Sequence, residues 1–164
     1  MEEQLVYLAK QLITSLTKTN LRLAIAETMT GGLISHLITN CDGASRVLSA
    51  SLVLYSAEAK STILNIPIED IMEGGTISEV MVQKMLESME NYPADVFLAS
   101  TGIAGREIEG VPRGTVYIGT NCCGKMTIKK LTFEGSREEI KTLTAKEALN
   151  MTINAIEAIE STRF

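Results

Sequence analysis

The sequence predicts an α/β domain with three layers, α/β/α, around a mixed, mostly parallel sheet that ends in a hairpin. Three observations carry this. Short apolar runs of strand length alternate with segments of helical spacing through the first two thirds of the chain. Two strand-like runs of alternating polarity then follow each other across a short turn. The apolar content is aliphatic: 45% of residues are hydrophobic but 4% are aromatic, with no Trp and eight Met. The length of 164 residues fits one domain, residues 1–164, expected to stand alone. A chain of this size buries roughly 70% of its unfolded surface and needs no disulfide or metal staple.

Each element has its own signal. Residues 2–18 place Leu5, Leu8, Leu12, Ile13 and Leu16 on one helical face. Residues 21–26 form a short apolar run suited to a buried strand, which stops at Glu27-Thr28-Met29-Thr30-Gly31-Gly32. A helix carrying Leu33, Ile34, Leu37 and Ile38 follows, then a loop at 41–45. Residues 47–55 read mostly as strand, and the helical pattern resumes near Ser56. Pro67 suits the start of a short helical turn, and Gly74-Gly75 breaks it. Ser78-Glu79 opens a helix with Val82, Met85, Leu86 and Met89 inward. Residues 94–100 form an apolar strand ending at Thr101-Gly102-Ile103-Ala104-Gly105. The runs 114–120 and 126–133 flank Cys122-Cys123-Gly124-Lys125 as a hairpin. Ser136 and Glu139 form a capping box at the head of a long last helix.

Composition excludes several function classes. Fifteen basic and twenty acidic residues leave a net charge of −5, so no broad basic face exists for nucleic acid. Few aromatics argue against a base-stacking platform. Three cysteines in no CxxC pattern and a single histidine, His36, give neither a disulfide framework nor a metal motif. No apolar run reaches the ~18 residues of a membrane span. The start Met1-Glu2-Glu3 lacks the basic region of a signal peptide. The expectation is a cytoplasmic protein with no metal, no membrane and no nucleic-acid partner.

In open α/β sheets ligands bind beyond the carboxyl ends of strands. Three segments fall there. Thr30-Gly31-Gly32 opens a helix, either as an oxyanion or phosphate cradle or as a plain strand-to-helix turn. Tyr55 and Lys60 place a phenol and an amine across a strand-to-helix junction; Lys60 is a general base if desolvated and an ordinary surface lysine if not. Thr101 to Gly105 is the third segment. Thr28 and Ser45 are the hydroxyl candidates for a nucleophile. Were 47–55 one straight strand, Ser45 and Tyr55 would stand ~30 Å apart at 3.3 Å per residue. Ser45 therefore needs a helical turn at 45–49, or a neighbouring subunit, to join the site.

Taken together and in order, several segments resemble the CinA C-terminal domain family, the nicotinamide-nucleotide amidohydrolases. They are Ala26-Glu27-Thr28-Met29-Thr30-Gly31-Gly32, Gly43-Ala44-Ser45, Tyr55-Ser56-Ala57-Glu58-Ala59-Lys60, Gly74-Gly75-Thr76-Ile77-Ser78, Ser100-Thr101-Gly102-Ile103-Ala104-Gly105, Gly114-Thr115-Val116-Tyr117 and Phe133-Glu134-Gly135-Ser136-Arg137. The resemblance implies an α/β/α fold and hydrolysis of the carboxamide of nicotinamide mononucleotide to nicotinic acid mononucleotide and ammonia. It implies no metal or organic cofactor, and a homo-oligomer. Thr28 or Ser45 would be the nucleophile, Lys60 its base and Tyr55 a proton donor toward ammonia. Amides around Thr30, Gly31, Gly32, Thr101, Gly102 and Gly105 would hold the oxyanion or phosphate. Arg137 would pair with the phosphate, or make a plain salt bridge at the helix start.

The chain departs from the family pattern at three places. Thr28-Met29 stands where Ser, often Ser-Cys, is usual; Ala57 stands where Asn is usual. Arg106-Glu107-Ile108-Glu109-Gly110 replaces a proline and a glycine-rich stretch. Two other readings stay open: a non-catalytic nucleotide-binding or protein-interaction relative, and a hydrolase of another amide or ester.

Overall fold

A computed structural model describes residues 2–162. The elements are α1 (Glu2–Thr19), β1 (Leu23–Glu27), α2 (Leu33–Thr39), α3 (Ala44–Val47), β2 (Leu48–Val53), α4 (Ala57–Leu64), α5 (Ile68–Gly74), α6 (Glu79–Ser88), β3 (Val96–Gly102), β4 (Thr115–Cys122), β5 (Lys125–Thr132) and α7 (Arg137–Thr162). The five strands lie in the order β2-β1-β3-β4-β5. β1 pairs parallel with β2 and β3, while β3–β4 and β4–β5 are antiparallel. The sheet is mixed and ends in a hairpin, as the sequence predicts.

Side-chain alternation divides the core into two. On one face Leu23 and Ile25 of β1, Leu98 of β3 and Ile118 of β4 pack under α1, α2 and α7. On the other face β1 and β3 present Ala24, Ala26, Phe97 and Ala99 to α4, α5 and α6. The alanines leave depth, and Met81, Met85 and Met89, all at most 1% exposed, fill it with unbranched side chains that adapt to uneven gaps. This is where the methionine-rich, aromatic-poor composition goes. β1 is buried at every position, as expected of a central strand covered on both faces.

Two local outcomes bear on the site. The segment read as strand from residue 47 begins instead with a helical turn, α3, after Gly43 at φ 90°; β2 then runs only from Leu48 to Val53. At its far end the Leu54 N–H donates to the Glu27 carbonyl at 2.8 Å. The capping box at α7 forms as read: the Ser136 N–H donates to Glu139 at 2.6 Å and the Glu139 N–H to Ser136 Oγ at 3.2 Å. The Ser136 N–H and, next, the Ser136 hydroxyl hold the Glu139 carboxyl below the usual carboxylate range, and the box fixes where Arg137 leaves the helix start.

Candidate active site

The chain leaves β1 toward β2 on one side and, later, lays β3 on the other. The carboxyl ends of β1 and β3 thus form the sheet's switch point. Pairing between them stops at Ala26 with Ala99. Beyond it β1 turns away at Thr28, β3 continues to Gly102, and a cavity of about 320 Å³ opens between them. Thr28, Tyr55, Lys60, Thr101, Gly102, Gly105 and Arg137 line it, so seven of the eleven residues singled out from sequence share one pocket.

Lys60 sits one turn into α4, whose start is capped by Ser56 Oγ accepting from the Ala59 N–H at 3.0 Å. That geometry turns the lysine inward, and the residue is only 3% exposed. Burial pushes its amine below the ordinary lysine range, while the charges of Glu109 and, less, Glu58 pull it back up. Thr28 is 4% exposed, and among the described residues its hydroxyl has no hydrogen-bond partner. Thr101 Oγ1 is committed: it donates to the Thr76 carbonyl at 2.9 Å. Tyr55 stands at the rim, 65% exposed. A buried amine and an uncommitted hydroxyl in one cavity are the components of base-assisted nucleophilic chemistry.

Two glycines in this pocket are set by what crowds them. A side chain on Gly102 would meet the Thr115 carbonyl at 2.8 Å, and one on Gly105 would meet Arg137 Nη2 at 2.6 Å. Gly105 therefore makes room for the Arg137 guanidinium over the pocket mouth. One turn along α7, Lys141 Nζ lies 3.7 Å from the position a side chain on Gly31 would take. Among the described residues neither cation has an ion-pair partner.

Four sequence-predicted residues lie elsewhere. Thr30, Gly31 and Gly32 do not line the cavity, and the anion place at the head of α2 is already filled. The fully buried Glu27 carboxylate accepts from Thr30 Oγ1 at 2.5 Å, the Ile34 N–H at 3.2 Å, the Ser35 N–H at 3.1 Å and Ser35 Oγ at 2.5 Å. The chain supplies its own anion there, which favours the plain strand-to-helix turn over an oxyanion or phosphate cradle at Thr30-Gly31-Gly32. Ser45 lies on α3, exposed, at the amino end of β2. The helical turn that could have carried it inward does form. The six residues of β2, roughly 20 Å at 3.3 Å per residue, still separate it from the pocket within one chain.

Met29, Ala57, Thr76, Ile77, Arg106 and Ile108 also line the cavity, and sequence reasoning assigned none of them a role. Thr76 and Ile77 follow Gly75, at φ 77°, so the glycine break was the available signal.

A profile of the CinA C-terminal domain matches residues 6–156. A protein of Dictyoglomus thermophilum described as CinA-like is 38% identical over 147 residues, covering 87% of this chain and 36% of that protein. The chain spans about a third of the length of the curated relatives it matches. Among solved structures, a CinA superfamily protein from Klebsiella pneumoniae superposes with TM-score 0.89 at 25% identity over 94% of this chain and 98% of that one. A competence or damage-inducible protein from Enterobacter asburiae gives TM-score 0.88 at 29% identity, covering 93% and 98%. Among the described residues no helix is long and apolar enough to cross a membrane.

Proposed function

The chain belongs to the CinA C-terminal domain family, and on that premise we propose that it is an amidohydrolase acting on nicotinamide mononucleotide. The observation that carries the reading is the Thr28 hydroxyl, without a hydrogen-bond partner among the described residues, in the same cavity as the buried Lys60 amine. Lys60, neutral, takes the Thr28 proton as the oxygen attacks the carboxamide carbon. Collapse of the tetrahedral intermediate breaks the C–N bond. The proton returns through Lys60 and Tyr55 to the leaving nitrogen, which departs as ammonia. Water, deprotonated by Lys60, then cleaves the Thr28 ester and releases the acid. The backbone at Thr101 and Gly102 borders the place where the oxyanion forms. Arg137, without an ion-pair partner among the described residues, offers a planar fork to the nucleotide phosphate. No cofactor enters this scheme.

The direct test is ammonia and nicotinic acid mononucleotide release by the purified protein. Turnover that falls by ~10²–10⁴ in Lys60→Ala supports the reading; turnover equal to that variant's defeats it. A second reading, nucleotide binding without turnover, is favoured by the γ-methyl of Thr28, which restricts the rotamer a nucleophile needs. Calorimetry with the nucleotide and activity of Thr28→Ser separate the two. Ser45 enters the chemistry only if a second copy supplies it. A homo-oligomer is part of the proposal, and sedimentation velocity tests it.

A further inference from the structure

The loop after Gly105 ends in a tight turn. The Ile108 N–H donates to the Val111 carbonyl at 3.3 Å and the Val111 N–H to the Ile108 carbonyl at 2.8 Å. The two residues between them, Glu109 at φ 55° and Gly110 at φ 72°, are both left-handed, the signature of a type I′ turn. Glycine fits there without strain, but glutamate does not. What Glu109 gains is a pair of hydrogen bonds to Thr76, a residue of the pocket lining. Its carboxylate accepts from the Thr76 N–H and from Thr76 Oγ1, both at 3.2 Å. Thr76 is in turn tied to the end of β3 through its carbonyl. Thr76, Ile77, Arg106 and Ile108 all line the cavity. The Glu109–Thr76 bonds thus tie the turn after Arg106 and Ile108 to a second lining segment of the cavity that Lys60 also lines.

We propose that Glu109 is a positioning residue for Lys60: its carboxylate staples the 108–111 turn to Thr76, walls the amine off from water on that side, and sets a negative charge toward it. The proposal rests on the reading of Lys60 as the base. The groups that share this space are Glu58 on the same helix, Tyr55 at its start, Glu109 from the loop, and Arg106 and Arg137 at the cavity lining. Its own backbone N–H and, next, the Ser56 hydroxyl hold the Glu58 carboxyl low, so Glu58 stays charged while Lys60 titrates. Glu109 thus acts in two opposed ways. The staple excludes water and lowers the amine's proton affinity, while the charge raises it. The two actions are separable by substitution.

The experiment measures Lys60 acetylation by acetic anhydride against pH, read by mass spectrometry, since only the neutral amine reacts. This readout needs no turnover. Glu109→Gln removes the charge and keeps the amide oxygen as an acceptor for Thr76. The titration midpoint of Lys60 is expected to fall by roughly half to one pH unit, with ~3–10-fold faster labelling at neutral pH. A midpoint that stays or rises overturns the electrostatic role. Glu109→Gly suits the left-handed backbone, so folding is retained, and removes the staple. The plateau labelling rate at high pH, which reports access alone, is expected to rise at least ~3-fold, and an unchanged plateau overturns the wall. If the wild-type protein labels as described but releases no ammonia from the nucleotide, the amidohydrolase reading fails while the role of Glu109 stands. In an active enzyme the acid limb of the kcat/KM profile shifts in Glu109→Gln by the same amount as the labelling midpoint.

Discussion

Glu27 is the side chain on which the geometry of the Thr28 turn depends. It is 0% exposed and is surrounded by donors: two backbone N–H groups at the head of α2 and the hydroxyls of Thr30 and Ser35. Ser35 passes the network on to Ser51 of β2. Among the described residues no cation pairs with Glu27, so the charge is held by hydrogen bonds and the helix dipole. Glu27→Gln tests this with almost no change in shape. Of the two carboxylate oxygens one becomes an NH2, which must face two donors. At least two charge-assisted bonds are lost, each worth ~1.5–3 kcal/mol, and two buried donors are left without acceptors. With partial relaxation the expected loss is about 3–5 kcal/mol, a large part of the ~5–15 kcal/mol available to a domain. At ~2–4 °C per kcal/mol for a chain of this size, Tm falls by about 6–20 °C. Urea unfolding is the assay, with the midpoint shifting and the slope constant. Amide exchange at Ile34 and Ser35 should speed up before global unfolding does. A loss under ~1 kcal/mol, or unchanged exchange at those two amides, would refute the account of Glu27 as the internal cap of α2.

Other substitutions separate stability from chemistry. Lys60→Met removes a buried amine whose charged form burial disfavours, and should raise stability near neutral pH while abolishing turnover. Because the Lys60 amine titrates lower in the folded chain than in the unfolded one, the unfolded chain binds more protons between the lowered value and 10.5. Wild-type stability relative to Lys60→Met should therefore rise with pH across that window, as read by urea unfolding at several pH values. Wild-type activity should rise along an acid limb whose midpoint lies below the ordinary lysine range, and a rate that falls with pH there excludes Lys60 as the base. Gly105→Ala should leave unfolding within ~1 kcal/mol, since its clash is with the mobile end of Arg137, yet raise KM for a phosphorylated substrate. Its effect should not add to that of Arg137→Ala in a double-mutant cycle.

The fold was legible because its signals are local. Three largely apolar strand runs, two alternating ones, their glycine and proline punctuation, and the Ser136–Glu139 box each lie within a few residues. The pocket was legible in outline for a different reason: topology forces the ends of β1 and β3 together, so Thr28 and Thr101 meet whatever their neighbours are. What sequence reasoning missed depends on partners distant along the chain or on which group reaches a site first. The head of α2 offers an anion-binding geometry, and Thr30-Gly31-Gly32 announces it. Spacing alone does not say that Glu27, three residues before Thr30, folds back to occupy it. Ser45 stays outside its own chain's pocket because of the sense of the strand: parallel pairing of β1 with β2 puts the start of β2 at the end of the sheet away from the pocket. Glu109 and Thr76 are 33 residues apart, and nothing in either segment names the other. The 106–110 stretch does carry one internal sign: glutamate at a turn position that glycine or asparagine would fill without strain. A residue that a turn disfavours is held by something outside the turn, and here that is Thr76, which lines the cavity that Lys60 also lines.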